Sequence, residues 1–241
     1  MTYTFAPIGI IRSPFKEKFG IPRQAGLIPE ARASLELLPP YDQDEALRGL
    51  AGFSHVWIVF VFHGNVDRGW KPTVRPPRLG GKRRVGVFAT RSNFRPNPIG
   101  LSAVKLDGFG RETGKLVLHL SGVDLLDGAP VLDIKPYLSY ADSIPAAEGG
   151  FAARKPPASF DVIFAPEALA ACRRREQAGA SDLYHLIAQT LQTDPRPAYY
   201  ATAPQKDRFN LRLFNFDIEW IVEGKQITVT EIRDVSESGA E

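Results

Sequence analysis

Two guanidinium groups, two carboxamides and two prolines fall within eight residues, Arg91-Ser92-Asn93-Phe94-Arg95-Pro96-Asn97-Pro98. Such a density of donors suits a polar or anionic ligand. Proline fixes φ, lacks a backbone donor and drives the preceding residue out of the helical region. Arg95 and Asn97 are therefore expected to be extended, in a stiff loop that binds at little ordering cost. Asn and Pro are also ordinary turn residues. That reading covers one or two positions and leaves both arginines over. The other candidates are His63, at the end of an apolar run, and the carboxylates Asp124, Asp127 and Asp133. Paired aspartates in a turn usually act as caps, but with Asp133 so near an acidic cluster is also open.

Several chemistries are missing. Gly108-x-Gly110 with Gly114 superficially matches a dinucleotide loop, but it joins two strand-like segments. The pyrophosphate-on-helix mechanism needs a strand followed by a helix. No glycine-rich loop ends in Lys-Ser or Lys-Thr, and no serine sits in a nucleophile elbow. Four scattered histidines and one cysteine do not make a zinc site, so no metal is expected. What remains is chemistry done by positioning and electrostatics.

The elements that must position these groups are mostly strands. Val85–Ala89 and Ile99–Leu106 flank the proline loop. Ala6–Arg12, Ala31–Leu38, Lys115–Ser121 and Val131–Tyr137 read as further strands. Phe53–Gly64, rich in β-branched and aromatic residues, reads as a core strand buried on both faces. Asp42–Leu50 reads as a short helix, and Gly108–Gly110 with Gly114 as a hairpin turn. Ala, Gly and Pro dominate 141–157, which reads as a linker. Beyond it, Pro166–Gln177 and a segment from a Ser181 cap through Leu191 read as helices. Phe209–Ile221 and Gln226–Ile232 read as one hairpin. Strands do not alternate regularly with helices, so a parallel α/β sheet is not expected. The expected fold is mainly β: a single-sheet antiparallel β-barrel over 1–140 and a small α+β domain over 158–241.

The formal charge of +3 and pI of about 9.0 are only mildly basic. Two triplets, Lys82-Arg83-Arg84 and Arg173-Arg174-Arg175, could each be a solvated face. Together with the loop arginines they favour a polyanionic partner. The lone Cys172 fits a reducing compartment. No signal peptide is visible, and the longest apolar run, Val56–Phe62, is too short to span a bilayer. A soluble, cytoplasmic protein with no membrane partner is expected.

Five segments in order resemble the TrmO, or TsaA-like, tRNA methyltransferase family. They are Ile8-Gly9-x-Ile11-Arg12-Ser13-Pro14, Pro22-Arg23-Gln24, Phe53-Ser54-His55 through His63, Arg91-Ser92-x-x-Arg95-Pro96-Asn97-Pro98-Ile99-Gly100, and Asp124 to Pro136. The stretch Asp194-Pro195-Arg196-Pro197-Ala198-Tyr199 resembles the C-terminal extension of bacterial members. Ala129 departs from the pattern, where threonine is expected, and removes one hydroxyl.

The resemblance implies a non-Rossmann β-barrel, S-adenosylmethionine as methyl donor, and a homodimer. It implies methylation at N6 of the threonylcarbamoyladenosine (t6A) beside the tRNA anticodon. By motif match, cofactor contacts would come from Pro22, Arg23, Gln24, His63, Gly64, Arg91 and Leu101, and from the turn Asp124, Leu125, Leu126, Asp127 and Gly128. Asn93, Arg95 and Asp133 would serve catalysis, with Asp127 and His63 as further candidates for the base. Asn97, Lys135, Tyr137, Arg196 and Tyr199 would hold the tRNA. The rival class is a non-catalytic RNA-binding barrel that reads anticodon loops by stacking.

Overall fold

The structure is a computed structural model that describes residues 2–156, 160–196 and 207–235. It divides into two compact units. One comprises Met1–Ser13 with Arg23–Lys155, the other Pro14–Pro22 with Pro156–Glu241. The nine-residue excursion from 14 to 22 is not visible in the sequence pattern. Phe15 is fully buried and bridges Leu213, and Phe214 N donates to Pro14 O at 2.7 Å.

The first unit contains β1 (Gly9–Arg12), β2 (Ala33–Leu37), β3 (His55–Val61), β4 (Thr73–Val74), β5 (Val85–Gly86), β6 (Ile99–Glu112), β7 (Lys115–Ser121) and β8 (Pro130–Pro136), then a one-turn helix α1 (Ser139–Asp142). Six of these strands form an antiparallel sheet in the order β1-β2-β7-β6-β3-β8. Gly9 pairs with Val131, so β8 returns to β1 and the sheet closes. The core fills by alternation: Ile11, Leu35, Val56, Ile58, Val104, Leu118 and Val131 point inward and are essentially inaccessible. Each such side chain contributes about 1.5–3 kcal/mol. β4 and β5 form a separate two-stranded ribbon.

Several local expectations change. β3 buries Val56, Ile58 and Phe60 but leaves Trp57, Val59 and Val61 half-exposed, as one face of a closed sheet must be. Asp42–Leu50 is not an α-helix but two 3₁₀ turns, Asp44–Leu47 and Leu50–Gly52. Val85–Ala89 is only two strand residues followed by a 3₁₀ turn. β6 does not turn at Gly108. The register slips there, and the strand runs on to Glu112 before turning at Thr113-Gly114. Glycine permits this, at φ 155°.

The second unit has β9 (Asp161–Phe164), α2 (Pro166–Gln177), α3 (Leu183–Gln192), β10 (Arg208–Leu213), β11 (Phe216–Glu223) and β12 (Gln226–Asp234). The sheet order is β10-β11-β12-β9, with β9 parallel to β12. Helix α2 has the expected bounds. Ser181 does not cap α3. Asp182 precedes the helix at φ 61° and offers no side-chain cap. Phe209–Ile221 is two strands, reversing at Phe214–Asn215.

Candidate functional site

The turn between β7 and β8 is anchored by its own backbone. Gly26 N donates to Gly122 O at 2.7 Å, Val123 N to Ala31 O at 3.0 Å, and Gly128 N to Ile11 O at 2.9 Å. Ser13 N donates to Asp127 Oδ1 at 2.9 Å, and Ser13 Oγ to Leu125 O at 2.7 Å. Asp127 therefore braces the chain around Ser13. Leu125 is core, with no exposed surface.

Asp124 is different. Its carboxylate accepts from Ser102 Oγ at 2.6 Å, where Ser102 is a buried polar residue on the inner face of β6. Burial pushes the Asp124 carboxyl above the ordinary range. Hydrogen bonds from Ser102 and from the backbone at Asp124 and Ala25, and the charge of Arg91, oppose this. Arg91 Nη1 in turn donates to Gln24 Oε1 at 2.5 Å. Gln24 Nε2 also donates to Arg23 O. Gln24, Arg91, Asp124 and Ser102, far apart in sequence, thus meet in one polar cluster. His63 opens a 3₁₀ turn after β3, and a methyl group at Gly128 (φ 75°) would stand 3.9 Å from its Nε2. His63 is therefore beside the Asp124–Gly128 turn.

The proline loop is braced from within. Arg95 Nη1 donates to Thr90 O at 2.8 Å and to Val87 O at 3.4 Å, and its guanidinium lies 5.7 Å from the Phe88 ring centre. Thr90 Oγ1 bonds Val87 O, Ser92 N bonds Thr90 Oγ1, and Phe94 N bonds Ser92 Oγ. Asn93 is half-buried and Asn97 exposed. Gly100, the second residue of β6, lies directly against Phe60, where a Cβ would meet the nearest ring carbon at 2.3 Å.

Asp133, Lys135 and Leu101 occupy another face. Val59 is flanked by Leu101 on β6 and Asp133 on β8, and all three point outward. At ordinary strand spacing Asp133 lies about 10 Å from Leu101. Asp133 Oδ1 accepts from Ile134 N at 2.9 Å, and Oδ2 pairs with Lys135 Nζ at 2.7 Å. The three aspartates therefore form no acidic cluster, because β-strand alternation sends Asp133 outward. Tyr137 packs against Trp57, with ring centres 5.7 Å apart.

In the second unit, Arg196 Nε and Nη2 grip Asp194 at 2.7 and 3.1 Å. Its guanidinium lies 4.9 Å from the Phe160 ring centre and 5.6 Å from that of Phe209. Its side chain is 10% exposed. This arginine braces Asp194 and packs on both rings. Tyr199 lies outside the described residues, and Pro22 is grouped with the second unit. Among the described residues no cluster of His, Cys, Asp or Glu could hold a metal ion. No described helix is long and apolar enough to cross a membrane. Sequence reasoning missed Ser102. Its signal was a hydroxyl at an inward position of an otherwise apolar strand.

A closed antiparallel sheet with a carboxylate, an arginine and a carboxamide gathered beside it defines a β-barrel protein, distinct from the doubly wound nucleotide binders. Residues 10–143 match the family model described as the tRNA-methyltransferase O N-terminal domain, and residues 157–235 match the TrmO C-terminal domain. The chain belongs to the tRNA-methyltransferase O family. It is 47% identical over 221 residues to a tRNA (adenine(37)-N6)-methyltransferase of Escherichia coli strain K12, covering 92% of this chain and 94% of that one. It is 50% identical over 220 residues to a protein of Pseudomonas aeruginosa named putative S-adenosylmethionine-dependent methyltransferase RcsF, covering 91% and 93%. The crystal structure of TrmO from Pseudomonas aeruginosa superposes with a TM-score of 0.80 at 43% identity, covering 97% of this chain and 99% of that one.

The cluster suits S-adenosylmethionine, which presents a carboxylate, an ammonium group, ribose hydroxyls and an apolar adenine face. Arg91 can take the carboxylate as a charge-assisted pair. Asp124 can accept from hydroxyls or ammonium, and a buried carboxylate needing compensation is a reason for it to do so.

Proposed function

We propose that this chain N6-methylates threonylcarbamoyladenosine next to the tRNA anticodon, as a cytoplasmic homodimer. That it is an enzyme with S-adenosylmethionine as cofactor follows from its family. The observation that carries it is the cluster of Arg91, Gln24, Asp124 and Ser102 within a chain that matches both family domains. Outward-facing Ile99 and Leu101, 39% and 55% exposed, support a self-association surface.

When bound, the donor supplies a methyl group on a sulfonium, whose positive charge is lost as transfer proceeds. The protein's part is alignment and exclusion of water. Arg91 and Asp124 orient the donor. The loop from Arg91 to Pro98 presents Asn93 and Asn97 to the modified base, with Arg95 holding the loop's shape. The ureido nitrogen is a poor base and must shed its proton at or before attack. His63, beside the Asp124–Gly128 turn, is better placed to receive that proton than Asp133, which is paired with Lys135 on the outer face.

The test is mass spectrometry of tRNA nucleosides from a strain lacking the gene, with and without the gene restored. Loss and return of the N6-methylated nucleoside is the expected result. Unchanged methylation overturns the substrate assignment, and no thermal shift with S-adenosylmethionine would favour the RNA-binding module.

A further inference from the structure

Seven of the seventeen residues from Arg68 to Arg84 are Lys or Arg, and none is Asp or Glu. The chain's other 224 residues carry 23 Lys and Arg against 27 Asp and Glu, so this segment alone turns a net −4 into the overall +3. All seven side chains are exposed. Among the described residues none forms an ion pair. Arg84 donates to the Thr73 hydroxyl at 3.1 Å, and Lys71 stands 4.4 Å from the Phe94 ring centre. A concentration of like charge with no compensation costs self-repulsion, and an external polyanion removes that cost.

The segment is held in shape. Thr73 pairs with Gly86 and Val74 with Val85, which makes the β4–β5 ribbon. Its tip, residues 75–84, folds on itself: Leu79 N donates to Pro76 O, Gly80 N to Pro77 O, and Gly81 N to Pro76 O. Gly80 and Gly81, at φ 68° and 67°, make the reversal. The base of the ribbon is tied to the proline loop, with Lys71 N donating to Phe94 O at 3.1 Å and Val87 N to Pro72 O at 3.0 Å. Trp70 and Phe88 at the base are 54% and 74% exposed.

We propose that the β4–β5 ribbon is a phosphate-backbone clamp for RNA, which grips the stem next to the nucleotide held by the Arg91–Pro98 loop. It rests on the reading above only for which RNA is bound. Five of its seven cations are arginines, whose planar fork matches a phosphate in bidentate fashion. The charge sits on a preformed ribbon, so little ordering entropy opposes binding. The clamp reads charge and spacing, not sequence. It also takes over the role expected of Arg196, which is buried against Asp194.

The experiment compares two triple variants of the full chain that remove equal charge. One is Arg75→Gln, Arg78→Gln, Arg83→Gln in the ribbon. The other is Arg173→Gln, Arg174→Gln, Lys225→Gln in the second unit. Binding of an unmodified anticodon stem-loop RNA is measured against salt, and thermal unfolding checks that both variants fold. Each phosphate contact contributes about 0.7–0.9 to the slope of log K against log salt, so the ribbon variant should lose about 2–3 and the control almost nothing. Equal losses in both variants, or no RNA binding by the unsubstituted protein, overturn the clamp. A ribbon-specific loss without any methylated nucleoside in the strain comparison would sustain the clamp and defeat the t6A reading.

Discussion

Ser102 donates to Asp124 at 2.6 Å, joining an inward position of β6 to the turn between β7 and β8. This bond is the main counterweight to a burial that raises the Asp124 carboxyl above its ordinary range. If the charged form holds the donor, cofactor affinity falls as pH drops through that raised midpoint. Ser102→Ala should move the midpoint upward, because it removes an interaction that favours ionisation. Calorimetric titration of S-adenosylmethionine across pH checks both statements.

The same shift has a sign for stability. The folded state binds this proton more tightly than the unfolded chain does. The stability from Asp124 is therefore fully present below the unfolded carboxyl range and is lost as pH rises through the folded midpoint. Asp124→Asn removes that loss. The variant should melt at or above the parent temperature near neutrality while cofactor binding disappears in calorimetry. Lower stability with binding retained would reverse the assignment.

Arg95 donates to the carbonyls of Thr90 and Val87, inside the loop it belongs to. Hydrogen bonds to a charged donor contribute about 1.5–3 kcal/mol. Arg95→Ala should lower the methylation rate by loosening the loop and leave cofactor affinity nearly intact. Side-by-side rate and calorimetry measurements separate the two, and an equal loss in both contradicts the assignment.

Gly100→Ala drives a methyl group into the Phe60 ring. Overpacking of this kind costs about 1–3 kcal/mol, which urea denaturation would register. Adding Phe60→Leu should recover part of it, since the clash is with the ring.

Arg196→Ala leaves Asp194 without its bidentate partner and uncovers Phe160 and Phe209. Removing one partner of a fully buried pair costs about 3–5 kcal/mol. Asp194 retains 24% side-chain exposure, so a smaller cost is expected, about 2–3 kcal/mol. Denaturation should show it, while RNA binding by the folded fraction stays the same.

Local signals made much of the fold legible. The strand Lys115–Ser121 and the helix Pro166–Gln177 match their sequence readings because dense apolar spacing and a first-turn proline act within one element. The reversal at Phe214–Asn215 was hidden because it uses neither Gly nor Pro and places Phe214 at φ 53°. β9, four residues long, carries too little pattern to stand out. At the site, Gln24, Arg91 and Asp124 were legible as residue types, but their meeting depends on closure of the sheet. Ser102 and the outward turn of Asp133 follow from register, which no local window contains.

The excursion from Pro14 to Pro22 also bears on how the chain is made. Synthesis proceeds from the N-terminus, and early domains fold as they emerge. Phe15 leaves the ribosome long before Leu213, the residue it bridges in the finished protein. A nascent chain halted ahead of β10 therefore carries a complete set of barrel strands while Phe15 still lacks the Leu213 it bridges. Strands β10–β12, translated well after residues 14–22, complete the sheet of the unit to which that peptide belongs.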